Sequence, residues 1–230
     1  MKQILKSDEP TAFIDWKRTN QVQISEKITD DKSGEVIWGI LPSSPSNQNL
    51  ENDYSKTLLR ESLVKEQYYL CCYCNTAIKG EALDTKIEHF LPKERYKNQI
   101  FEYGNLFAAC NGGERVKPIK LCCDTYKSNN DPSEKNIISP LNLDIDGHFA
   151  YQENGGIKGI SDQGQATISF LNLDCKRLRI LRKTAIEEYL YDDSDDFKNQ
   201  ISGLKLPVDG KLQAFCMAII SVLEQYGQSR

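Results

Sequence analysis

Histidine is nearly absent from this chain: two occur in 230 residues, beside two methionines and two tryptophans. Any imidazole chemistry therefore rests on His89 or His148. No apolar run approaches the ~20 residues needed to cross a bilayer, and the opening Met1-Lys2-Gln3-Ile4-Leu5-Lys6 has no apolar signal-peptide core. A cytoplasmic protein with no membrane contact is expected. The phosphate-cradling loop G-x-x-x-x-G-K-S/T is also missing, so the chain is not expected to hydrolyse ATP itself. Nor is there an excess of positive charge. The 29 Lys and Arg stand against 33 Asp and Glu, a net charge of -4, which argues against a wholly basic protein that coats nucleic acid.

What the chain does have is cysteine. Eight occur, six of them between Cys71 and Cys123. Thiols stay reduced in the cytoplasm, so this density points to metal binding rather than disulfides. The rest of the composition, 39% hydrophobic and 27% charged, is that of a soluble globular protein with one good core or a compact site inside a larger helical shell. Charge is uneven along it. Between Lys86 and Lys127 eight Lys and Arg face five Asp and Glu, which makes this the basic region.

That region carries the chemistry. Cys71-Cys72-Tyr73-Cys74 is followed by Ile87-Glu88-His89-Phe90, then Gly104-Asn105-Leu106, Cys110, and Cys122-Cys123-Asp124-x-x-Lys127. A Cys-x-x-Cys pair turns the backbone into a knuckle whose sulfurs reach one tetrahedral zinc, and a second pair completes the shell. Cys71 and Cys74 have that spacing. Cys110 and Cys123 are the expected second pair, with Cys123 preferred to Cys122 because Asp124-x-x-Lys127 then keeps its register. The plainer alternative is a set of buried, uncoordinated cysteines. The acids and the imidazole form a separate set of donors, able to hold a hard cation and activate water. Neighbours on a strand face opposite sides, so Glu88 and His89 share a site only where the strand end twists. His148 has no such companions and reads as structural.

Three segments are expected. Residues 1-53 hold a short helix with Pro10 in its first turn and Phe13, Trp16 and Lys17 on its buried edge, then an extended stretch from Glu35 to Leu41 and an exposed linker over Ser43 to Asn49. Residues 54-136 start with a helix from Tyr54 to Leu70 that leads into the cysteines. Strands over Leu83 to Phe90 and Asn105 to Ala109 and a helix over 123-130 then make a strand, loop, strand, helix order, the ββα-metal arrangement. Residues 137-230 offer strands over Ile137 to Leu143 and Phe149 to Ile160, turning at Gly155-Gly156. Helices follow with apolar stripes Leu178, Leu181, Ala185, Tyr189 and Leu212, Phe215, Ile219, Leu223, Tyr226. The run Asp192 to Asp196 reads as a solvated connection. The fold class is α+β, with a zinc-stapled core embedded between helical flanks.

Taken together, the Cys-x-Tyr-Cys, Ile-Glu-His-Phe-x-Pro-Lys, Asn-Leu-x-x-x-Cys and Cys-Asp-x-x-Lys motifs resemble the HNH endonuclease superfamily. More narrowly, the chain is similar to the PtuB-like HNH proteins of Septu-type and retron-associated anti-phage systems. That similarity extends to the opening Met-Lys-x-Ile-x-Lys with Glu9-Pro10, to Ile138-Ser139-Pro140-Leu141 with Phe149-x-Tyr151, and to Leu171-Asn172-Leu173 ahead of Arg179 and Arg182. The resemblance implies that His89 is the general base, that Glu88 and Asp124 bind a catalytic magnesium or manganese, and that Asn105 supports the metal loop or reaches the ion. It also implies a PtuA-like ATPase partner. Glu88 stands where the superfamily commonly has Asp, and Asp124 where it commonly has His or Asn; both remain oxygen ligands for such ions.

The expected activity is metal-dependent cleavage of DNA or RNA in a phage-defence complex. Lys93, Arg95, Lys97 and Lys127 would hold backbone phosphates. Lys176, Arg179 and Lys183 could extend that track, although a solvated helix face explains them more simply. A rival of another class is a non-catalytic zinc-knuckle module that binds nucleic acid or scaffolds a partner without needing His89. A zinc deaminase is disfavoured, because Glu precedes His here and no Pro-Cys-x-x-Cys follows.

Overall fold

The computed structural model describes residues 1–45, 54–114, 121–191 and 196–228. It is a mixed α+β structure of short helices and two small two-stranded sheets. Helix α1 (Thr11–Thr19) starts after Pro10 and buries Phe13 and Trp16. Helix α2 (Gln21–Thr29) buries nothing fully. Residues Glu35 to Leu41, expected to be extended, instead begin in helix α3 (Gly34–Trp38). The reason is its start: Ser33 accepts a hydrogen bond from Val36 N, and Glu35 lies in the first turn, the cap and charge that begin a helix. Ile37 and Trp38 are thereby turned into the core. The linker expectation holds an exposed stretch over Pro42 to Pro45; Ser46 to Asn49 lie outside the described residues.

Helix α4 (Lys56–Glu66), capped by Ser55, buries Leu59, Leu63 and Val64. It stops four residues short of Leu70 because Tyr68 and Tyr69 take positive φ of 52° and 63°, which no helix continues. Strands β1 (Thr85–His89) and β2 (Leu106–Cys110) pair antiparallel, with Glu88 opposite Phe107 and His89 opposite Leu106. Every residue of β2 is buried. Gln67 fixes the chain above it: its amide accepts from Ala108 N at 2.8 Å and donates to Ala108 O at 2.8 Å, acting as one rung of a further strand. Cys72 N also donates to Ala108 O, at 3.0 Å. Helix α5 (Cys123–Lys127) follows β2, so the strand, loop, strand, helix order is present at residues 85–127.

The C-terminal part differs from expectation in two places. Ile137 to Leu143 form no strand; Ile138 N is satisfied by Thr167 Oγ1 at 3.0 Å, Pro140 has no N–H to give, and its carbonyl accepts from Ile4 N at 2.9 Å. Strands β3 (Phe149–Tyr151) and β4 (Ile157–Gly159) do pair, with the turn centred on Glu153-Asn154, one step before the expected Gly155-Gly156: Gly155 N donates to Gln152 O at 2.8 Å, and Gly156 O already accepts from Gln152 N at 3.0 Å. After α6 (Asp162–Leu171), helix α7 (Lys176–Leu190) buries Leu178, Arg182, Ala185 and Ile186, while Leu181 is 38% exposed. Arg182 takes the inward place because its guanidinium finds Gly155 O at 2.7 Å and Leu173 O at 3.0 Å. Helix α8 (Phe197–Leu204) is capped by Asp196; Asp192 to Asp195 lie outside the described residues. Leu212 and Phe215 are buried but precede α9 (Cys216–Gln228). Their backbone N–H groups bond Tyr68 O at 3.1 Å and Asn75 O at 2.8 Å, tying the end of the chain to the cysteine knuckle. One continuous hydrophobic cluster runs through all three segments.

Candidate functional site

Two sites share the β1–β2–α5 unit. The first is sulfur. Cys71 N bonds Thr76 O at 2.9 Å and Asn75 N bonds Cys71 O at 3.1 Å, folding residues 71–76 into a tight loop with Asn75 at positive φ. On the far side, Cys122 N donates to Gly112 O at 3.0 Å, which draws Cys123 back beside Cys110; residues 115–120 of that insert lie outside the described residues. Only glycine fits at 112. Its φ is +63°, and a β-carbon there would lie 2.4 Å from Cys122 O.

The sulfurs of Cys71, Cys74, Cys110 and Cys123 all lie within 4.8 Å of one another, and all four residues are buried. A tetrahedral ion bound at ~2.3 Å by four sulfurs needs edges of about 3.8 Å; Cys74 Sγ and Cys110 Sγ stand 3.8 Å apart. The set therefore fits a thiophilic metal ion. Without one its protons are shared unequally: Cys110 is pulled down to about 5 by the S–H donors of Cys122 and Cys123, while Cys123 is pushed up. A dication would let all four sulfurs carry charge. Cys122 is not one of the four but lies against them: its Sγ is 3.7 Å from Cys123 Sγ, and equally 3.7 Å from Gly112 O and from Arg177 Nη1.

The second site is a polar cleft of about 320 Å³ whose wall includes Glu88, His89, Asp124, Lys93, Lys56 and Arg60. Glu88 and His89 both reach it although they are sequence neighbours, because His89 is the last residue of β1. Glu88 is 2% exposed. Its Oε1 accepts from Tyr73 OH at 2.6 Å and meets Lys127 Nζ at 2.8 Å. Burial, and then the Asp124 carboxylate beside it, push Glu88 well above the usual carboxylate range despite Lys127. Two oxygen-donor carboxylates held together against their mutual repulsion suit a hard cation.

His89 is equally enclosed. Its Nε2 lies 3.0 Å from Ile100 O, and the ring meets Trp38 edge-on at 4.7 Å between centroids. Burial, followed by the charge of Lys93, lowers it to about 4, so at neutral pH the ring carries no charge. With Nε2 donating to the carbonyl, Nδ1 is left as an acceptor.

The other site expectations fare differently. Asn105 is not in the cleft wall; its Oδ1 accepts from Leu91 N at 2.7 Å and its Nδ2 donates to Leu91 O at 3.1 Å and Gln99 O at 3.0 Å. It clamps the loop between β1 and β2 through both ends of its amide. Lys127, expected to hold a phosphate, lines the cleft but is 1% exposed, and its ammonium bonds His89 O at 2.8 Å as well as Glu88. Of the remaining three, only Lys93 lines the cleft. Lys93 pairs with Glu35, Lys97 with Asp31, and Arg95 with Glu134 and Asp131. His148 bonds Ser161 Oγ at 2.6 Å, away from both sites. Sequence reasoning missed Tyr73, Lys56 and Arg60. Tyr73 stood inside the Cys-x-Tyr-Cys motif, whereas Lys56 and Arg60 lie upstream on α4 and carry no local signal.

Replacing Lys127 by Met should expose how far Glu88 depends on it. A buried carboxylate left without its counter-charge costs about 3–5 kcal/mol, and uptake of a proton, which burial and Asp124 already favour at Glu88, limits that loss. Urea unfolding in magnesium-free buffer should show a loss for Lys127→Met that stays below that figure and grows as pH rises, with part regained in Lys127→Met/Glu88→Gln. Equal stability of the wild type and the single variant would mean that the pair does not hold the site.

No family model matches the chain. Two curated sequences do. A protein of Escherichia coli described as "Retron Ec83 putative HNH endonuclease" is 30% identical over 162 aligned residues, covering 54% of this chain and 63% of the relative. The Septu protein PtuB of Bacillus thuringiensis is 26% identical over 127 aligned residues, covering 55% of this chain and 45% of that protein. The chain thus spans less than two thirds of either relative. By sequence, the chain is related to the PtuB-like HNH proteins.

Proposed function

We propose that this chain is a metal-dependent HNH endonuclease that cleaves phosphodiester bonds of DNA or RNA within an anti-phage defence complex. The observation that carries the reading is the convergence of Glu88, Asp124 and an uncharged His89 on one polar cleft, backed by a four-sulfur cage. In this reading residues 85–127 are a ββα-metal core, Cys71, Cys74, Cys110 and Cys123 hold a structural zinc, and Glu88 and Asp124 hold magnesium or manganese.

The bound divalent ion would supply positive charge against the phosphoryl oxygens and the leaving 3′ oxygen as negative charge develops there. His89 takes the proton of the attacking water on Nδ1 while Ile100 O holds Nε2–H, which fixes both the tautomer and the ring plane. The water oxygen bonds to phosphorus as the bond from phosphorus to the 3′ oxygen breaks. Tyr73 and Lys127 keep Glu88 oriented by holding the same oxygen, Oε1. Lys93, Lys97 and Arg95 approach the strand's phosphates by exchanging the surface carboxylates Glu35, Asp31 and Glu134, an inexpensive exchange because exposed ion pairs contribute about 0–1 kcal/mol; Arg95 would also part from the buried Asp131. A PtuA-like ATPase would provide the nucleotide dependence that the chain's own sequence lacks. Support for that partner is the similarity to the Septu protein PtuB.

Metal analysis should find close to one zinc per chain. Cys123→Ser should lose it and its cooperative unfolding with it, because binding free energy in such sites is folding free energy, while Cys122→Ser should retain both. Zinc retention in Cys123→Ser and loss in Cys122→Ser would move the ligand by one residue.

His89→Ala should keep the zinc and the fold and lose cleavage by about 10²- to 10⁴-fold, the usual worth of a general base, in assays with magnesium or manganese, with and without the co-expressed ATPase. A well-folded His89→Ala protein with full activity would sink the mechanism and leave a zinc-knuckle binding module.

A further inference from the structure

Most cations near the cleft are already spoken for. Lys127 is held by Glu88, Lys93 by Glu35, and Lys86 by Glu114 at 2.6 Å. Lys56 and Arg60 are different. They stand four residues apart on α4, which places both on one face of the helix, and both line the cleft. Among the described residues neither forms an ion pair, and Arg60 Nε is buried with no hydrogen-bond partner. A buried donor of a charged group is costly to leave unsatisfied, and no acceptor among the described residues meets this one.

Lys56 is also placed against electrostatic preference. It is the first residue of α4, next to the Ser55 cap, where the helix dipole opposes positive charge. Its ammonium lies 4.9 Å above the Trp38 ring, and that ring meets His89, so the cation sits on the His89 side of the cleft. Burial lowers the proton affinity of both groups; for Lys56 the Glu35 carboxylate opposes this, while the charges of Lys93 and Arg60 add to it. The Trp38 ring and Glu35 compensate Lys56 in part, and neither supplies an acceptor for Arg60 Nε. A polyanion lying in the cleft explains the rest, because it would neutralise the two cations and complement the N-terminus of α4 together.

We infer that Lys56 and Arg60 hold backbone phosphates of the nucleic-acid strand that crosses the cleft, beside the phosphate facing Glu88, His89 and Asp124. The inference rests on the nuclease reading and adds to it a wall of the substrate site that the motif residues do not supply. Lys56 and Arg60 are positioning residues for the strand; the acids and His89 carry the reaction.

The test uses the full chain carrying His89→Ala, so that labelled single- and double-stranded oligonucleotides survive, and reads anisotropy over a salt series. In that background Lys56→Gln and Arg60→Gln should each make the slope of log affinity against log salt shallower by about 1, and the pair together by about 2. Arg60→Lys should restore most of the loss. Lys65→Gln, an exposed cation of α4 outside the cleft wall, should leave the slope unchanged. Thermal melts separate this from a structural role: Lys56→Gln should melt close to its parent, since the unfavourable dipole contact it relieves offsets the Trp38 contact it loses. If the parent binds and the Lys56→Gln/Arg60→Gln protein binds with the same affinity and slope, the inference is wrong and the nuclease reading stands. If the His89→Ala parent shows no affinity and the wild-type chain cuts nothing, both fall.

Discussion

The distance between four buried sulfurs governs this structure. Cys71 and Cys74 come from a knuckle that follows α4, Cys110 ends β2, and Cys123 begins α5. Bringing them within 4.8 Å of one another therefore fixes three pieces of chain that have no long sheet or helix to align them. Gly112 allows the last approach, and Gln67 holds the knuckle to β2 through both backbone groups of Ala108. Once Cys123 is seated, the next residue, Asp124, is carried to the cleft, and Lys127 follows one turn later on the inward side of α5. The sulfur cage thus sets the register of the acidic site without touching it.

The cleft itself is an electrostatic compromise. Glu88 lies almost out of contact with water, with Asp124 beside it and Lys127 as the buried counter-charge. Tyr73, between two cage cysteines, donates to the same carboxylate, so the two sites share a side chain as well as a backbone. His89 is kept neutral by burial and by Lys93. Such an arrangement stabilises the protein poorly, since buried charges recover their desolvation cost only in good geometry. It suits a site that completes its charge balance by binding a cation and a polyanion.

Much of this could be read in advance because donor chemistry is local. Four thiols in knuckle-like spacing, an acid beside a histidine, and an acid directly after the last cysteine announce their own uses. Burial is not local, and there the reading went astray. Lys127 reads as a phosphate contact because nothing in a lysine's neighbours says that it will pair with a buried glutamate. Glu35 to Leu41 reads as extended, although Ser33 and Glu35 are already the signal for a helix start. Leu181 was assigned inward where Arg182 goes, because the carbonyls that satisfy Arg182 come from Gly155 and Leu173. Lys56 and Arg60 could not have been found at all, since only the packing of α4 against the sheet brings them to the cleft.

The central claim is that the sulfur cage builds the acidic site. It is tested most directly by titrating manganese into the chain and following the bound ion by electron paramagnetic resonance, first with the cage metal in place and then after its removal by a thiol-directed reagent. The account predicts one manganese site that needs Glu88 and Asp124 and that disappears when the cage is emptied. Unchanged manganese binding in a chain whose cage sulfurs have been stripped and blocked would contradict it.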